Sequence, residues 1–127
     1  MRKVVTAQGI FNHIYKFITR QGRASASTSP VIGNRCWYRC AAPDGKVLAC
    51  AAGCLLTDAE AAKLEEGLGW YANVNLVPAR FAPFERLIKD CQLAHDQSAA
   101  TGDGFLPAFH RHMDRVARFY GLTVPVL

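Results

Sequence analysis

The chain has 127 residues, half of them apolar and a fifth charged, with a formal net charge of +5. That length suits one domain able to bury about two-thirds of its extended surface, so folding needs neither a metal nor a disulfide. The mixed charges argue against disorder, and no apolar run reaches the ~20 residues of a membrane-spanning helix.

Arg2 and Lys3 are followed by polar Thr6, Gln8, Asn12 and His13 rather than by the apolar stretch of a signal peptide, so the expected location is the cytoplasm. There thiols stay reduced, and the five cysteines are expected to be buried and to behave as small hydrophobes.

Thr6 can cap a first helix, in which Ile10, Phe11, Ile14, Phe17 and Ile18 recur at three- and four-residue spacing. Gly22 is placed to end it. The small, polar stretch at 23–30, closed by a proline, is expected to be a mobile loop. Aromatic and β-branched residues then flank Pro43-Asp44-Gly45, which predicts a β-hairpin over about residues 35–54. Thr57 and Glu60 form a capping-box pattern for a short helix at about 58–66, ended by Gly67. Residues 68–78 are ambiguous, with a short strand around Val74 and Leu76 as one reading. Pro83 suits the first position of a third helix carrying Phe84, Leu87, Ile88, Cys91 and His95 on one face. The last helix is expected at about 105–120, with Leu106, Phe109, Met113, Val116 and Tyr120 as its buried stripe, and Gly121-Leu122 as a Schellman ending. Together these elements predict an α+β fold: about four helices packed on a small antiparallel hairpin or sheet, in one domain spanning 1–127.

Cys36, Cys40, Cys50 and Cys54 invite a zinc reading, and register tests it. A three-residue turn at Pro43-Asp44-Gly45 pairs Cys40 with Leu48, Tyr38 with Cys50 and Cys36 with Ala52. The cysteines then share one face, while Arg35, Trp37 and Arg39 point to the other. Cys36 and Cys40 lie about 13 Å apart on an extended strand at ~3.3 Å per residue, too far for two thiolates at ~2.3 Å from one ion. The cysteines are therefore expected to form a packing face, and remain only weak metal candidates. Directly opposed pairs would suit a disulfide better than these diagonal ones.

His95 sits beside Asp96 on the third helix, where neighbours diverge by about 100° and are not expected to pair. A core-edge histidine hydrogen-bonded to backbone is the expected state, with a Cys91–His95 nucleophile and base as the enzymatic alternative. His110 and His112 diverge and make a poor metal pair. Arg111, Arg115 and Arg118 form a stripe on the last helix, Lys16, Arg20 and Arg23 mark the end of the first, and Arg35 and Arg39 flank Trp37. Arginine beside an exposed aromatic is used for nucleic acid and for protein hot spots; the plain alternative is a solvated charged face. No phosphate-binding glycine loop, GxSxG or HExxH motif is present.

Cys36-Trp37-Tyr38-Arg39, the Pro43-Asp44-Gly45 turn and Cys50-Ala51-Ala52-Gly53-Cys54 resemble a group of small, uncharacterised proteins encoded by phages and prophages. Thr57 to Glu60, Glu66-Gly67, Leu93-Ala94-His95-Asp96 and Tyr120-Gly121-Leu122 are similar to the group as well, while Cys40 stands where a small residue is more usual. The resemblance implies a setting, the cytoplasm of an infected or lysogenic bacterium, in which small accessory proteins act by binding host machinery or defence systems. The leading expectation is thus a non-enzymatic protein without cofactor that docks on a host protein through Arg35, Trp37 and Arg39, with Arg111, Arg115 and Arg118 as a second surface. Nucleic-acid binding through the arginines is the first alternative; an enzyme or ligand-binding protein using Cys91 and His95 is the second.

Overall fold

A computed structural model describes residues 5–29, 33–36, 38–41, 44–64, 77–99 and 104–127, and of residues 26–29, 33–36, 40 and 41 the backbone alone. In chain order come helix α1 (Ala7–Gln21), strands β1 (Ala26–Ser29), β2 (Gly33–Cys36), β3 (Arg39–Ala41) and β4 (Val47–Ala49), and a 3-10 turn at Gly53–Leu55. Helix α2 (Asp58–Ala62), a 3-10 segment at Ala79–Phe84, and helices α3 (Glu85–Ala99) and α4 (Phe105–Tyr120) follow.

The long helices form where apolar spacing and end signals agree. Thr6 accepts the Gly9 N–H to start α1, and Gly22, in the left-handed conformation, donates back to the Ile18 carbonyl to end it. At the end of α4 the Leu122 N–H returns to Ala117 at 2.8 Å, and the Leu122 side chain packs on the core. That is the Schellman geometry. Ile14 and Ile18 of α1, Ile88 of α3, and Phe109 and Met113 of α4 are fully buried and meet in one core. Truncating Phe109 to alanine would cost about 3–5 kcal/mol through the cavity left behind.

The expected α+β architecture is corrected. The chain is mostly helical, and the strand pairing among the described residues is confined to two separate antiparallel ribbons, β1 with β2 and β3 with β4. Ribbons of three or four residues offer too little apolar face to carry a helical layer, so the helices pack chiefly on one another, α3 against α4 most extensively.

Within the ribbons, Cys40 lies opposite Leu48, as the turn predicts. The hairpin is shorter than expected, however. Cys36 pairs with Ala26 instead of Ala52, which also turns part of the expected loop into strand β1. Residues 50–54 leave the ladder for a tight turn, closed by the Cys54 N–H on the Cys50 carbonyl at 2.9 Å. The turn needs Gly53, because a Cβ there would overlap the Tyr38 carbonyl oxygen. Pro83 falls inside the 3-10 segment, and α3 begins two residues later. Helix α2 keeps its capping box, with Thr57 and Glu60 bonding reciprocally. Helix α2 ends at Ala62, short of the expected 58–66, while the possible strand at Val74 and Leu76 and the expected stop at Gly67 lie outside the described residues.

Candidate functional site

Of the expected outer hairpin face, Trp37 and the Arg35 side chain lie outside the described residues, and Arg39 is committed to the fold. Its Nη1 donates to the carbonyls of Gly53 and Tyr38, its Nη2 to Leu56 at 2.9 Å, and its Nε reaches Asp58 at 3.4 Å. A guanidinium spent on three carbonyls holds β3 to the turn that follows β4 and to the start of α2. It is a structural cation.

The cysteines whose side chains are described behave as core. Cys50, Cys54 and Cys91 are buried thiols. The Cys54 thiol donates to the Ala51 carbonyl, and Cys50 Sγ accepts from the Gly53 N–H. Burial, with the neighbouring Cys50 and Cys91 thiols adding to it, pushes Cys54 well above its ordinary value, and burial does the same to Cys91. Such thiols are poor nucleophiles. Among the described residues no group of three or more His, Cys, Asp or Glu is placed to hold a metal; the side chains of Cys36 and Cys40 lie outside them.

His95 is fully buried, deeper than the core-edge position expected, and its pairing with Asp96 corrects the expectation that the two do not pair. Nδ1 lies 2.9 Å from Asp96 Oδ1. Nε2 lies 3.0 Å from the Ser25 backbone nitrogen, which can only donate, so Nε2 accepts and the ring proton sits on Nδ1 facing the carboxylate. Gln92 donates to Asp96 and accepts the Ala52 N–H, while Ser25 Oγ donates to the Leu48 carbonyl. This chain ties α3 to β4, to the turn after it and to the segment after α1. With both ring nitrogens engaged, His95 has none left for Cys91 to use as a base.

A different arrangement opens beside α1. A groove of about 530 Å³ runs between the C-terminal half of α1 and the β3–β4 turn, with Lys16, Arg20 and Arg23 on one wall and Lys46 on the other. Its apolar lining comes from Phe17, Val47 and Leu48. Gln21 fixes the spacing of the walls: its amide donates to the Ala49 carbonyl and accepts the Ala49 N–H, both at 2.9 Å. Among the described residues no carboxylate lines the groove. Asp44, in the turn, reaches Arg23 at 2.6 Å; that hydrogen bond, with the Lys46 N–H, holds the Asp44 carboxyl below its ordinary value. Lys16 and Arg20 form no ion pair among the described residues, and the Lys46 charge acts on Asp44. His13 stacks on Phe17 with the rings 18° from parallel, and its Nε2 donates to the Cys54 carbonyl at 2.9 Å.

Arg111, Arg115 and Arg118 are all exposed on α4, as expected. They stand on a convex helix with Asp114 among them, and His112 is shifted down by burial and by Arg115 and Arg111. The groove differs by being concave, with no acid among the described residues of its lining. Sequence spacing gave Lys16, Arg20 and Arg23 as neighbours; Lys46 and Val47 join them only through the contact of Gln21 with β4. No helix among the described residues is long and apolar enough to cross a membrane. Comparison with protein-family models, with curated proteins and with solved structures finds no match.

Proposed function

We propose that the protein works by binding rather than catalysis, and that its working surface is the groove beside α1, which receives an anionic partner. The observation that carries this reading is the groove lined by Lys16, Arg20, Arg23 and Lys46 with no carboxylate among the described residues of its lining. Like charges gathered in a concavity attract an oppositely charged partner more strongly than the same charges spread over a convex face. In the setting suggested by the resemblance to phage and prophage proteins, the partner is a component of the bacterial host.

Heparin–agarose, a polyanion matrix, tests the site. Lys16→Glu with Arg20→Glu should elute at much lower salt than the parent. Arg111→Glu, Arg115→Glu and Arg118→Glu together change net charge more, yet should elute closer to the parent. The reverse order would move the site to α4.

A second reading, docking on a host protein, is favoured by Phe119. It is 69% exposed beside the arginine stripe, and Arg86 lies over its ring. An exposed aromatic among arginines is the composition of a protein hot spot. A folded Phe119→Ala, Arg115→Glu variant that keeps every biological effect of the parent would remove this reading.

A further inference from the structure

Resting on the groove as the binding surface, we infer that its occupant is single-stranded nucleic acid, with phosphates on Lys16, Arg20 and Lys46 and a base on the Phe17–His13 platform. A groove that attracts only charge has no use for a fixed aromatic surface. This one contains a half-buried Phe17 ring with His13 stacked against it. The His13 ring is itself tied to the Cys54 carbonyl, so the pair is set before any ligand arrives. Lys16 and Arg20 bracket Phe17 one helical turn apart, about 6 Å along the axis, and Lys46 faces them across the groove.

Cations tracking a backbone beside a ring that stacks a base are the two elements of single-strand recognition. A duplex keeps its bases stacked inside and offers the ring no face. An acidic peptide would satisfy the cations and leave the rings unused. Val47, 67% exposed at the groove, extends the apolar floor on which a splayed base can lie.

Fluorescence anisotropy of the full-length protein with a labelled oligothymidylate tests the inference. The competitors are unlabelled single strand, a duplex of mixed sequence, and polyglutamate. The single strand should bind at least about ten-fold tighter than either of the other two. Log affinity should fall by about 2 per decade of salt, as expected for three cations on a single strand. Phe17→Leu, which keeps apolar volume in the core, should lose about five-fold or more in affinity, and Phe17→Trp should restore it.

Duplex or polyglutamate binding as tightly as the single strand would overturn the inference and leave the anionic groove standing. So would a folded Phe17→Leu variant with unchanged affinity. Oligonucleotide binding that survives Lys16→Glu with Arg20→Glu would overturn both the inference and the groove itself.

Discussion

The His95 cluster in α3 and the cationic groove beside α1 are both built from polar side chains, yet only one of them closes on itself. From Ala52 through Gln92, Asp96 and His95 to Ser25, each donor meets an acceptor inside the fold. Along the groove, Arg23 has Asp44 and the Lys46 charge acts on the same carboxylate, whereas Lys16 and Arg20 form no ion pair among the described residues. A buried polar group without a partner costs stability, so the interior cluster had to be completed. An exposed cation is satisfied by water and keeps its charge available. Completeness therefore marks the first as architecture, and incompleteness marks the second as a surface for something else.

Breaking the closed cluster should have the largest effect on stability. His95→Leu leaves the buried Ser25 N–H without its acceptor and takes one of two donors from Asp96, and should lower stability by about 3 kcal/mol in chemical denaturation. A loss below about 1 kcal/mol would mean that water replaces the imidazole and that the cluster is no architectural necessity. Arg39→Ala comes next, at about 2 kcal/mol, because the Leu56 carbonyl loses the Arg39 donor and the Gly53 carbonyl keeps only the Leu56 N–H. Its binding to an anionic probe should stay at the parental level, which separates a structural cation from the groove cations.

A smaller effect belongs to Glu60, which Arg80 grips with two hydrogen bonds of 2.8 and 2.9 Å. That pairing, opposed in part by burial and helped by the Thr57 N–H, lowers the Glu60 carboxyl from 4.5 to about 2. A carboxyl whose value falls on folding stabilises the fold above its unfolded value. The contribution should be complete above about pH 4.5 and disappear as pH falls toward 2. Arg80 remains 44% exposed, and solvent screening reduces the contribution to about 1 kcal/mol. Comparing the parent with Arg80→Ala between those pH values checks it: the acid-dependent part of the difference should vanish at the low end.

The smallest effect sharpens the comparison from the groove side. Asp44→Asn releases Arg23 from its carboxylate, and should tighten anionic ligands by about two- to three-fold without altering the fold. Weaker binding in that variant would make Asp44 part of the recognition surface rather than a competitor for Arg23.

What could be read from the sequence was local. Thr6, Gly22, the Thr57–Glu60 box and Gly121-Leu122 act within one turn of chain, and each does in the structure what its residue type predicts. The extent of the hairpin was not legible. It is cut short by contacts distant in sequence: Gly53 against the Tyr38 carbonyl, and Arg39 reaching past it to Leu56. The α+β expectation failed for the same reason, since alternation around one turn shows that strands pair but not that they form a layer. Asp96 reaches His95 despite their divergent positions because Gln92, one turn earlier, also holds the carboxylate. The groove was half visible. Lys16, Arg20 and Arg23 stand out in the sequence, but only the two-way grip of Gln21 on Ala49 brings Lys46 to face them.

Amide chemical-shift mapping of the full-length protein with a short single-stranded oligonucleotide tests the central claim most directly. The account predicts that shifts concentrate at Lys16–Arg23 and Lys46–Leu48, while the amides of Ser25, Ala52 and His95 hold their positions. Shifts centred on Arg111–Phe119 with the α1 amides unmoved would contradict it.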